Sequence, residues 1–311
     1  MKRFTLSVIL FALVVLNCRA QNYVILPDSN FRNALKLKYP DCFSAYDELD
    51  ISCSKIVEEK TLNIEDQHIS DLSGIRYFTN LKVLECGDNL LTSINDPLPE
   101  GLTRFICYRN QLNFLPVLPE QLEILNCSSN QLSVLPPLPE NLNELICSKN
   151  KLTAIPDLPS NLKFFSCFDN QISVLPVLPD SITDLHVSGN KLSVLHHIPQ
   201  TVTVLDCAKN TLTQLPELPA ALDNFFCNNN QLTKLPAMPA TVRILDCHSN
   251  NLIELPAVLP AKLQYLNCAS NKLKTIPELP VTLGYFNCSE NPLKKKPENL
   301  HPDVLRNFII K

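Results

Sequence analysis

The sequence predicts a solenoid. Each coil of 20 residues adds one short parallel β-strand to a concave face, then returns along an extended, polyproline-like convex path. Short helical caps close both ends. Three observations carry this. A fixed frame starts at Leu81 and returns at Leu102, Leu122, Leu142, Leu162, Ile182, Val202, Leu222, Val242, Leu263 and Leu283, eleven units with two steps of 21 residues. Within a unit, alternating inward residues such as Leu125 and Cys127 mark a strand, and an Asn, as at Asn130, marks the turn that follows. The return carries Leu-Pro-x-Leu-Pro, as at Leu135-Pro136 and Leu138-Pro139; proline has no N–H and a fixed φ, which disfavours an α-helix there.

From the N-terminus, Lys2 and Arg3 precede an uncharged run from Phe4 to Leu16, and small Ala20 follows, the layout of a secretory signal peptide over residues 1–20. Cleavage there removes three basic residues and leaves 24 against 31 acidic ones, a net charge of −7. Cys18 offers a competing lipoprotein reading, but Asn17 stands where such a signal places a small residue. Residues 21–61 read as an N-terminal cap, in which Asp28 or Ser29 starts a short helix carrying Phe31, Ala34, Leu35 and Leu37. Residues 62–80 read as a longer first repeat and residues 81–300 as the eleven units. At Lys294-Lys295-Lys296 the pattern fails. Residues 301–311 then read as a C-terminal cap, with Val304, Leu305, Phe308 and Ile309 on a helical turn after Pro302.

The Leu-x-x-Leu-x-Cys-x-x-Asn-x-Leu pattern is that of leucine-rich repeats. With its Leu-Pro-x-Leu-Pro returns, the segment 81–300 resembles the bacterial repeats of the YopM and IpaH type effectors. Leu62-Asn63-Ile64, Ile69, Leu72 and Phe78-Thr79-Asn80-Leu81 resemble an internalin-type repeat, and Tyr23 to Phe31 resembles the opening of secreted Bacteroidetes proteins of this class. The resemblance implies an exported protein that binds other proteins.

Composition excludes several activities. The five glycines, Gly74, Gly87, Gly101, Gly189 and Gly284, cannot form a phosphate-binding glycine loop, and the net charge of −4 leaves no basic footprint for nucleic acid. Ten cysteines share one column, from Cys86 to Cys288, with Val187 in the same place in one unit. They read as small buried core residues, because a column spreads thiols along the stack, whereas a metal needs ligands converging on a point. Cys42 and Cys53 lie outside it and are the pair available for a disulfide. Cys86-Gly87-Asp88 and Cys167-Phe168-Asp169 match the Cys-x-Asp of the IpaH ubiquitin ligases, but that family's catalytic motif lies in a helical domain after the repeats, and few residues follow them here. His196-His197 replaces the usual Leu-Pro sequence of a return and reads as a surface irregularity. The expectation is no catalytic residue, no cofactor and no metal.

The concave face remains. Residues alternating with the inward Leu and Cys point outward: Arg104, Ile106, Tyr108, Ile124, Ile146, Phe164 and Phe168, then Asp184, His186, Asp206, Phe226, Asp246, His248, Tyr265 and Tyr285. Exposed aromatics among scattered charges on a rigid surface suit protein recognition. The expected protein is an exported monomer with no transmembrane segment, non-catalytic, binding a protein partner through this face. A surface structural or glycan-binding role is the alternative, and an enzyme or thiol-redox role ranks below both.

Overall fold

The computed structural model describes residues 22–294. The expected signal peptide, Cys18 and the C-terminal cap lie outside the described residues.

The N-terminal unit is small. Strand β1 (Tyr23–Val24) pairs antiparallel with β2 (Leu49–Asp50), and helices α1 (Ser29–Lys38) and α2 (Ser54–Val57) flank the pair. Asp28 is the N-cap of α1. One carboxylate oxygen accepts the N–H groups of Asn30 and Phe31, both at 2.8 Å. The other accepts the Ser70 N–H and hydroxyl, both at 2.7 Å, and the Asp71 N–H at 3.2 Å. One side chain thus starts the helix and fastens it to the first coil. Burial alone would raise its pKa, but these hydrogen bonds outweigh burial and hold it below the usual carboxylate value. Phe31 and Leu35, one turn apart, face the core. Leu37, expected beside them, is 89% exposed instead: two residues beyond Leu35 puts it on the opposite helix face. Cys42 and Cys53 are joined by a disulfide.

Twelve parallel strands follow in strict chain order. They are β3 (Thr61–Asn63), β4 (Val83–Glu85), β5 (Arg104–Ile106), β6 (Ile124–Asn126), β7 (Glu144–Ile146), β8 (Phe164–Ser166), β9 (Asp184–His186), β10 (Val204–Asp206), β11 (Asn224–Phe226), β12 (Ile244–Asp246), β13 (Tyr265–Asn267) and β14 (Tyr285–Asn287). At a parallel-strand spacing of about 4.8 Å the stack is about 50 Å long. Every register is in frame, so the central residue of each strand meets its counterpart: Phe105 opposes Leu125, and Leu125 opposes Leu145. These residues and the column cysteines are buried. Among the described residues the returns of the repeats from β4 onward contain no helix, as their prolines require; the longer first coil has a 3-10 turn at Ile75–Tyr77.

An asparagine ladder joins the coils. Asn130 donates to the carbonyls of Cys107, Cys127 and Ser128 at 3.0–3.2 Å, and its own oxygen accepts the Leu112 N–H at 2.9 Å. The same pattern recurs from Asn110 to Asn291. Each amide therefore satisfies backbone groups of its own coil and of the coil before it. Just before each Asn the chain enters the left-handed region. Gly189 is the one glycine there, at φ 63°; Arg109, Lys149, Lys209 and Glu290 take it at φ 47–55° despite their Cβ atoms.

Candidate functional site on the concave sheet

Each three-residue strand buries its middle residue and turns the flanking two toward the concave side, and the second residue after the strand joins them. This builds three parallel columns. Tyr108, Ile124, Ile146, Phe164, Phe168 and Phe226 stand in them half-buried among their neighbours. Ile106 does not contribute as expected. It is 5% exposed, set in register between Glu85 and Asn126; beside it Arg104 reaches across to Glu85 at 3.5 Å, and Tyr108 leans over Gly87. A Cβ on Gly87 would lie 2.7 Å from the Tyr108 ring, so glycine there lets the ring lie down. Burial, with Glu65 and Asp88 nearby, pushes the Tyr108 hydroxyl pKa up. The Arg109 guanidinium lies 5.9 Å from the Tyr108 ring centre and 3.4 Å from Asp88.

The middle of the face is aromatic. Phe164 packs against His186 with ring centres 5.3 Å apart, and the Lys149 ammonium sits 5.7 Å from the centre of Phe168. Beneath them Ser148 and Ser166 are buried and share a hydrogen bond of 2.8 Å.

Further along, the face turns acidic, and its carboxylates are held in place. Asp184 accepts from the Thr183 hydroxyl at 2.7 Å. Asp206 accepts from the Ser188 hydroxyl at 2.7 Å and the Ala208 N–H at 3.1 Å. Asp246 accepts from the His248 N–H at 3.2 Å and lies 2.5 Å from His248 Nδ1. The other imidazole nitrogen of His248 meets the Asn229 amide at 3.2 Å, and Asn267 reaches both Asp246 and His248. Asn229 and Asn267 are missing from the sequence reading of this face. The signal for Asn267 was the register itself, which sets residue 267 directly beside 246; Asn229 lies beyond its strand, at the turn. Beyond this cluster Tyr265 and Tyr285 stack face to face, with ring centres 4.4 Å apart and planes within 5°. Burial first, and then Asp246, push the Tyr265 hydroxyl pKa up to about 12.

The ten column cysteines are buried and unbridged. Burial pushes their thiols up, to about 12 at Cys127 and about 11 at Cys288. That is the reverse of the lowered pKa a nucleophilic thiol needs, and it includes Cys86 and Cys167 of the two Cys-x-Asp matches. His197 lies on the convex side, 4.0 Å from Asp180. Among the described residues no group of three or more His, Cys, Asp or Glu is placed to hold a metal ion, and no helix is long and apolar enough to cross a membrane.

The family described as Leucine Rich Repeat matches residues 121–142. No curated protein matches the chain in sequence. Among solved structures, YopM from Yersinia enterocolitica is 36% identical over 75% of this chain, with a TM-score of 0.73; this chain spans 51% of that one, about half its length. The functional domain of InlJ from Listeria monocytogenes, which includes a cysteine ladder, is 25% identical over 92% of this chain and 60% of its own, with a TM-score of 0.70. YopM from Yersinia pestis, a leucine-rich effector protein, is 24% identical over 90% of this chain and 98% of its own, with a TM-score of 0.57, and adds support for the fold alone. In-frame strands, an asparagine column from Asn89 to Asn291 and these likenesses agree: the chain is a leucine-rich repeat protein whose coils are similar to those of bacterial members of that class.

Proposed function

We propose that this chain is an exported, non-catalytic binding module that recognises a protein partner through its concave sheet. The observation that carries the reading is the run of half-buried aromatic and aliphatic side chains Tyr108, Ile124, Ile146, Phe164 and Phe168, set on a backbone hydrogen-bonded to the coils on both sides. Such a surface is preformed, so little ordering entropy opposes binding. The acidic stretch of Asp184, Asp206 and Asp246 favours a partner segment with Lys or Arg beside this patch. Export rests on the signal-like N-terminus, on the Cys42–Cys53 disulfide, which needs an oxidising compartment, and on the likeness to InlJ and YopM.

The test is affinity capture with the mature chain beside a variant carrying Tyr108→Ala, Phe164→Ala and Phe168→Ala, with circular dichroism to show that the variant folds. A protein held by the wild type and lost by the variant supports the reading. Equal capture by both refutes the site. The stacked Tyr265 and Tyr285 beside Asn267 and Asp246 favour a second reading, glycan binding. A glycan array bound by the wild type and lost on Tyr285→Ala would establish it.

A further inference from the structure

The convex side carries a groove that has no part in the concave reading. In most returns the two inward apolar residues lie three apart, as do Leu115 and Leu118; in the β4 coil, which is one residue longer, Ile94 and Leu98 lie four apart. The longer segment is tied to the preceding coil through Asp96, which accepts the Gly74 N–H at 2.6 Å and lies 3.7 Å from Arg76. On its other side, facing the return of the β5 coil, a groove of about 930 Å³ opens. Ile94, Leu98, Pro116, Phe114 and Val117 form its apolar wall. Phe114 is 49% exposed and Val117 87% exposed, so large apolar surface there is left uncovered.

Two further features accompany the groove. First, Glu100 and Glu120 line it from equivalent positions on adjacent coils, and neither forms an ion pair among the described residues. Second, the apolar position of Phe114 continues along the stack as Val134, Ala154, Val174 and Val194, with the valines 38–63% exposed. Four steps of about 4.8 Å make a track of about 19 Å. In the next coils the same position is Gln214, Lys234 and Glu254, and the position of Glu100 and Glu120 becomes Ala220 and Ala240. Apolar track and unpaired carboxylates thus occupy the same half of the solenoid.

We propose that this groove binds an extended segment of a partner protein that bears a bulky apolar side chain flanked by Lys or Arg. The apolar side chain fills the space between the two returns, and the cation meets Glu100 and Glu120. An open groove continued by a linear track suits an extended chain. The unpaired carboxylates select a cationic one, and the chain's own net charge of −4 disfavours a second copy as the occupant.

The test is selection of random 12-residue peptides displayed on phage against the mature chain, with fluorescence anisotropy of the synthesised winners. The proposal expects peptides that pair an aromatic or large aliphatic residue with Lys or Arg. Phe114→Ser with Val117→Ser should weaken them about tenfold. Glu100→Gln with Glu120→Gln, two exposed changes that leave the core alone, should weaken them about threefold and reduce their salt dependence. The concave triple variant should bind them like the wild type, which separates this site from the concave one. No enriched peptide, uncharged or acidic peptides, or binding indifferent to both groove variants overturns the proposal. So does a wild-type dimer that Phe114→Ser converts to monomer, since a second copy would then be the occupant.

Discussion

Replacing Asn210 by Ala tests the asparagine ladder where the structure allows its cost to be worked out. The side chain makes four hydrogen bonds. It donates to the carbonyls of Val187, Cys207 and Ala208, each at 3.1 Å, and accepts the Leu192 N–H at 3.0 Å. The three carbonyls keep another donor after truncation: Asn190 for Val187, Asn230 for Cys207 and the Gly189 N–H for Ala208. Among the described residues the Leu192 N–H has no other partner, and it is stranded beside the core. One stranded buried donor costs about 1–3 kcal/mol, and loss of the donated bonds adds about 1 kcal/mol. The expected loss is therefore about 3 kcal/mol, concentrated at the junction of the β9 and β10 coils. Urea unfolding followed by circular dichroism measures the total. Hydrogen exchange of peptides covering residues 182–201 measures the location, which matters because a stacked array need not unfold as one unit. Asn210→Asp keeps the acceptor but turns a carboxylate oxygen toward three carbonyls, and should cost more than Ala. A loss below about 0.5 kcal/mol, or exchange no faster at Leu192 than elsewhere, would refute the reasoning.

Three further outcomes follow from the same geometry. The ten column thiols should react with Ellman's reagent only on unfolding; Cys207→Val should shift stability by less than about 1 kcal/mol, since Val187 already fills that place, whereas Cys207→Asp should cost about 3 kcal/mol or more. Because the folded pKa of Asp28 is depressed, its contribution is full above the unfolded value of 3.8 and is lost as the pH falls through the folded value. Asp28→Asn should therefore destabilise by about 2 kcal/mol at pH 7, and the gap between variant and wild type should narrow in urea titrations below that value. Lys209→Gly, at φ 52°, should stabilise by about 1 kcal/mol, since glycine removes the Cβ clash of the left-handed region; unchanged or lower stability counts against strain there.

The fold was legible because its determinants repeat. A register error would have to recur in every coil, and the Leu, Cys and Asn columns leave no alternative phase. The positions that escaped the sequence reading are those where one coil differs from its neighbours. The groove beside Phe114 lies against a coil with one extra residue, which the sequence displayed only as one of two steps of 21. Its meaning depends on Asp96 leaning toward Gly74, a contact between coils that the pattern does not encode. Ile106 failed for a related reason. Alternation assigns it to the outer face, but exposure on a concave surface also depends on the side chains of the neighbouring strands, and these differ from coil to coil: Glu85 and Asn126 stand beside it here.

The same contrast between uniform and variable positions separates structure from recognition within each coil. Inward sites accept Leu, Ile, Val, Phe or Cys, and from the β4 coil onward the turn accepts Asn alone, because each must satisfy the same neighbours in successive coils; only in the first coil does Gln67 take that place. The residue preceding that Asn varies from Asp to Arg, Ser, Lys and Glu although its backbone is held at the same positive φ, so the fold imposes the conformation there and leaves the side chain free. The concave columns vary in the same way. Arg104 stands in register with Ile124, Phe164 with Asp184 and Asn224 with Ile244, and no stacking requirement produces that order. A surface whose chemistry changes from coil to coil over an invariant scaffold can match one partner without altering the fold. Exchanging Phe164 and Asp184 between their positions should therefore leave unfolding within about 1 kcal/mol of the wild type while abolishing capture of the concave-face partner. A swap that unfolds the chain would show that these columns serve the stack rather than recognition.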